Sequence, residues 1–210
     1  MNLGEMKTRA WWIIDDNESS PTEITAATLL LMINEGIQEL SPYLNIIKSA
    51  TLTFVAGVAT LPTDFISPIA VYDEGVLLRE IKSIKSKVGD TATTSQFYIP
   101  NNTQINIFGI TPTGTVTIWY TAYETALTTD ATTPSNVPVQ FHYALPEIYV
   151  KAKYYFKLNQ NADYADLMRQ WEQIKGQVFA ATHADRLANG DIIEDAYYDP
   201  LMSEGSGSSW

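Results

Sequence analysis

The feature that most restricts how this chain can fold is a double change of period. From residue 26, apolar side chains recur at intervals of 4, 3, 4, 3 and 4 (Ala26, Leu30, Ile33, Ile37, Leu40, Leu44). That is the spacing of one stripe along an amphipathic helix. At about residue 49 it gives way to short alternating runs separated by turn residues, which continue to residue 123. The helical spacing then returns in Leu145, Ile148, Ala152 and Tyr155, and again in Tyr164, Leu167, Trp171, Ile174, Val178 and Ala181. Helices at both ends with strands between them define an α+β chain.

Local signals place the boundaries. Leu3, Met6, Ala10 and Ile13 form a further short helical stripe, ended by Asp15-Asp16-Asn17. Ser20-Pro21-Thr22-Glu23 has the form of a capping box with proline at its first helical position, so the long helix is expected to start there. Pro42 ends or kinks it. Thr51–Val55 and Val58–Leu61 flank Ala56-Gly57, and Ile66–Tyr72 and Val76–Arg79 flank Asp73-Glu74-Gly75, two hairpin signals. Gln96–Ile99 and Gln104–Phe108 flank Pro100-Asn101-Asn102, and the turn Thr111-Pro112-Thr113-Gly114 leads into Thr115–Tyr123. There Val116, Ile118 and Tyr120 take one face, and Thr117, Trp119 and Thr121 the other. The expected result is an antiparallel meander, curled or sandwiched. A Thr/Ala/Pro-rich loop occupies 124–137. Pro146 belongs in the first turn of a helix, and the short link Asn159–Asn161 joins two helices as an antiparallel hairpin. The expected divisions are therefore N-terminal helices over 1–48, an inserted antiparallel β-domain over 49–137, a C-terminal helical hairpin over 138–187 and an extended acidic arm over 188–210.

The chain offers little for catalysis. It has no cysteine, which removes disulfides, thiolate metal sites and thiol nucleophiles. Its two histidines stand apart: His142 lies between Phe141 and Tyr143 near a helix start, and His183 near a helix end, where it favours the C-terminal dipole. The expectation is a hydrogen-bonded structural His142 and no metal site, since metals need convergent ligands at set spacings. No Walker sequence, GxGxxG or GxSxG is present. Asp15-Asp16 reads as a solvated stop, and Asp191–Asp195 lacks the glycine and closing glutamate of a calcium loop. No catalytic residue and no cofactor are expected. Residues 1–9 carry no apolar run of signal-peptide length, and no stretch approaches the ~20 apolar residues of a membrane span. A soluble protein made in the cytoplasm is expected.

Charge argues against nucleic-acid binding, and core filling accounts for most of the aromatic residues, with interface anchoring the next reading. The net charge is −11, which repels nucleic-acid backbone unless a local basic patch intervenes. Arg79, Lys82, Lys85 and Lys87, and Lys151, Lys153 and Lys157, are modest clusters that read as solvated faces. Trp11-Trp12 and Tyr154-Tyr155-Phe156 are runs of adjacent rings. Successive helix residues diverge by about 100°, so not all of them can enter one core. Some of these five should meet a neighbouring element or another subunit.

The order of several short elements resembles the head-to-tail adaptor (connector, or head-completion) proteins of tailed double-stranded DNA bacteriophages. These are the opening Leu3-Gly4-Glu5-Met6-Lys7-Thr8-Arg9, the helix Leu31–Leu40, the Leu-Pro-x-Asp-Phe element at Leu61–Phe65, the strand ending Ile118-Trp119-Tyr120-Thr121-Ala122, and Pro138 followed by His142 at a helix start. The resemblance covers most of residues 1–185. It implies a helical bundle carrying the inserted β-domain, and a closed, commonly dodecameric, ring in the virion neck. The ring would meet the portal protein above and the tail or stopper protein below, with genomic DNA passing through without sequence-specific binding and no membrane contact. In such proteins a terminal segment often grips the portal or a neighbouring subunit. Residues 188–210 suit that role through Ile192, Ile193, Tyr197, Tyr198, Leu201, Met202 and Trp210. A second reading is a carbohydrate-binding or tail-tip attachment module built on the β-segment, although sugar-binding domains are usually all-β.

Overall fold

The computed structural model describes residues 1–15, 24–81, 96–108 and 115–188. Ser20–Glu23, the 111–114 turn, the lysines at 82, 85 and 87, and residues 189–210 lie outside the described residues. Four α-helices are described: α1 (Leu3–Asp15), α2 (Ala26–Leu40), α3 (Lys151–Lys157) and α4 (Asn161–Ala188). The strands are β1 (Ile47–Leu52), β2 (Val58–Thr60), β3 (Phe65–Asp73), β4 (Val76–Leu77), β5 (Arg79–Glu80), β6 (Gln96–Asn101), β7 (Gln104–Phe108) and β8 (Val116–Ala122). The fold is mixed α+β, and among the described residues no helix is long and apolar enough to cross a membrane.

Helix α2 begins at Ala26, later than the Ser20 box places it. Thr25 is extended (φ −89°, ψ 162°) and its hydroxyl accepts from the Thr28 amide, so Thr25 is the cap. The stripe that enters the core is Leu29, Ile33, Gly36, Ile37 and Leu40. A 3₁₀ turn, Ser41–Tyr43, then takes Pro42 at its start. On α1 the buried residues are Leu3, Met6, Ala10 and Ile14, with Ile14 in the place expected for Ile13. Its N-terminus carries a reciprocal capping box: the Glu5 amide donates to Asn2 Oδ1 (2.8 Å), and the Asn2 amide to the Glu5 carboxylate (2.9 Å).

The strands form two four-stranded sheets, ordered β1-β8-β3-β4 and β2-β7-β6-β5. This corrects the expectation of a meander, because the first and last strands are neighbours. Ile47 pairs with Thr121 and Leu52 with Val116. The Ala56-Gly57 turn does form, with both residues at positive φ and Val55 and Val58 exchanging hydrogen bonds of 2.9 and 3.1 Å. The strands on either side then part, β1 to the first sheet and β2 to the second. The β3–β4 hairpin closes as expected through Glu74 and Gly75, both at positive φ, with Asp73 opposite Val76. Pro68 lies in β3 beyond the reach of two-residue β4, where its missing N–H costs no ladder bond to that neighbour. Strand β5 runs parallel to β6, the one parallel pair among the described residues.

The inner faces of the sheets join the helices in one apolar core. Leu52, Val71, Val116, Ile118 and Tyr120 come from the first sheet, and Ala59, Phe97, Ile105 and Ile107 from the second. Because β1 and β8 are antiparallel neighbours, the chain enters and leaves the first sheet at one end. The Ala122 amide donates to the Ile46 carbonyl there (2.9 Å). That places α2 beside the helices beyond residue 138.

After a 3₁₀ turn, Val139–Phe141, the chain there forms a π-helix, Leu145–Val150, where an α-helix is expected. Five of its six residues are buried, and only Glu147 is not. Packed against α1, α2 and α4, it is apolar nearly all round, as a central helix should be. Each π turn takes one residue more per hydrogen-bonded ring than an α turn, which shifts the phase of α3. The buried ring on α3 is consequently Tyr154 (2% exposed), while Tyr155 is only partly covered. The Tyr154 hydroxyl is buried without a hydrogen-bond partner. Tyr154→Phe should therefore raise stability by about 1 kcal/mol in urea unfolding, since it removes an unsatisfied polar atom. A loss of similar size would refute this.

Candidate subunit interface

Buried polar contacts fasten the helices to one another and to the loop 124–137. Glu39, on α2, accepts from the Tyr149 hydroxyl (2.7 Å) and from the Trp171 indole N–H (3.0 Å), so one carboxylate ties α2, the π-helix and α4. Burial, and then the Glu39 carboxylate, push the Tyr149 phenol well above its ordinary range. The Asn34 side chain pairs with Leu127 as a strand neighbour would, donating to its carbonyl (3.0 Å) and accepting from its amide (2.8 Å). Glu124 is buried and accepts from the Ser135 hydroxyl (3.1 Å) and the Asn136 amide (3.0 Å). The irregular loop is thus fixed at both ends, and Asp130 meets Lys7 at 2.7 Å.

A cleft of about 1200 Å³ between α2 and the segments that lead into β3 and out of β8 is lined by Glu35, Glu39, Asp64, Glu124, Tyr149 and Lys153, among others. Each of its acids is already engaged. Glu35 faces Lys153 at 3.6 Å, and Asp64 accepts from Lys48 (2.7 Å) and Tyr120 (3.0 Å). Burial alone would raise the Asp64 pKa, but the bonds from Lys48 and Tyr120 outweigh it and hold the carboxyl below its ordinary value. Burial and the Asp64 bond push Tyr120 up to about 12. These groups are structural ties, and among the described residues no three acids or histidines could hold a metal ion.

His142 is buried, with Nε2–H donating to the Val137 carbonyl (2.8 Å) and Nδ1 facing the Met1 amino group (3.0 Å). Burial lowers its pKa despite the Val137 bond, and the charge of the Met1 amino group pushes the same way. With a folded pKa below the unfolded value of about 6.5, the unfolded chain takes up this proton first as the pH falls. The His142 contribution is therefore complete above about pH 6.5 and drains away below it. Thermal melts from pH 7 to pH 5 should show Tm falling, and falling less steeply in His142→Gln. Parallel slopes would show that His142 is not the source. His183 is held within α4, where Nδ1–H donates to the Phe179 carbonyl (2.9 Å) and the ring stacks on Phe179 at 4.1 Å.

The aromatic runs divide between core and surface. Trp11 packs against the core, whereas Trp12 is 76% exposed at the C-terminal part of α1. On α3, Tyr154 fills this chain's own core, Tyr155 lies at its margin, and Phe156 is 58% exposed, edged by Tyr164 at 5.1 Å. Beside Trp12 runs a groove of about 890 Å³ walled by Gly4, Thr8, Ile13, Lys151 and the Arg9–Glu147 ion pair. Of the residues expected at a subunit interface, Trp12 and Phe156 are thus the two large rings most open to a second chain. Ile192, Ile193, Tyr197, Tyr198, Leu201, Met202 and Trp210, expected at a partner interface, lie outside the described residues. Sequence reasoning missed Glu39, whose position three residues from Gly36 on α2 gives no sign of the two donors it meets.

A mixed α+β chain that ties up its buried acids internally and leaves large rings on its surface has the properties of a subunit that works by contact. The chain belongs to the SU10 adaptor protein family, whose model matches residues 1–193. This is a phage adaptor family, generally non-enzymatic, and the chain is accordingly a structural component of a bacteriophage virion. No curated protein matches it.

Proposed function

We propose that this protein is a head-to-tail adaptor: copies close into a ring in the virion neck, between portal and tail, which extends the DNA channel and docks the tail. The observation that carries the reading is the exposure of Trp12 and Phe156 on helices whose own core is already filled. Tryptophan at the centre of an interface is a frequent energetic anchor, because it combines large apolar area with one polar atom. Trp11 and Tyr155 would lie at the margin of that contact. A net charge of −11 suits a channel through which DNA must slide, since each phosphate neutralised by a base adds affinity and therefore drag. Closure of many weak contacts into a ring makes the whole attachment stable. The apolar and acidic residues of the arm, 188–210, are assigned to grip the portal or a neighbouring copy.

The test is electron microscopy and co-sedimentation of the purified protein with portal particles. The parent should decorate the portal as a ring. Trp12→Ala/Phe156→Ala should keep the parent's Tm within about 2 °C, since both rings are exposed, and lose most of the decoration. Deletion of 189–210 should leave the melt unchanged and weaken attachment. A parent protein that stays solitary with portal present, or a double variant that decorates as well as the parent, would overturn the reading.

A further inference from the structure

We draw no further inference here: the strongest candidate, the groove beside exposed Trp12 between α1 and the π-helix, carries nothing beyond the proposed subunit contact because nothing in the structure shows what covers it.

Discussion

Glu39→Ala is expected to destabilise the folded chain by about 3 kcal/mol, the sum of two buried donors each losing its acceptor at roughly 1–3 kcal/mol. Tyr149 and Trp171 are fully buried, and both lean on this one carboxylate from different helices. For a chain of this length the loss corresponds to a Tm lower by about 6–12 °C. Glu39→Gln keeps one acceptor oxygen and should recover about half of the loss. Tyr149→Phe made in the Glu39→Ala background should cost far less than in the parent, because its hydroxyl has already lost its partner. Urea unfolding of the five proteins measures this directly. A Glu39→Ala variant within about 0.5 kcal/mol of the parent would mean that water from the adjacent cleft replaces the carboxylate fully.

Gly36→Val should cost about 2 kcal/mol for a different reason, the steric one. A Cβ at position 36 would lie 3.0 Å from both Leu145 Cδ2 and Tyr149 Cδ1. Both belong to buried residues of the π-helix, and the Tyr149 ring is further held by its bond to Glu39. Overpacking of this kind typically costs about 1–3 kcal/mol. Gly36→Ala meets the same contact with one methyl, and removing glycine from a helix interior returns about 1 kcal/mol, so it should come out close to neutral. Circular dichroism melts of the two variants separate steric cost from propensity: equal Tm values for Val and Ala would show that α2 moves away from the π-helix without penalty.

How much of the fold is legible in the sequence depends on how far apart the interacting residues lie in the chain. The helices and most of the strands are legible because their signals are local, such as the 4-3-4-3-4 stripe of α2 and the alternation of Val116, Ile118 and Tyr120. The Glu74-Gly75 hairpin is legible because two residues suffice to reverse the chain. At Ala56-Gly57 the turn is legible and the strand pairing is not, since a turn fixes the reversal but not which strand lies alongside. Ile13 and Ile14 are both apolar, and a period of 3.6 accepts either, so only packing against neighbouring helices selects Ile14. The π-helix hides the phase of α3: the periodicity rule assumes a constant turn, and nothing local announces the extra residue. At the candidate interface, the principle that adjacent rings cannot all enter one core holds. Which of them remain outside is set by the face of α1 and of α3 that meets the core.

The pairing of β1 with β8 also governs how the molecule can assemble itself in time. Residues 47 and 121 must meet across about 70 intervening residues before α2 and the π-helix can be held side by side. On an emerging chain, α1 and α2 can cover each other only in part, and the rest of their apolar stripes waits uncovered until the π-helix has been synthesised. Folding therefore waits on a remote strand pairing, a feature associated with slow folding, and the nascent helices are the stretch most in need of shielding during synthesis.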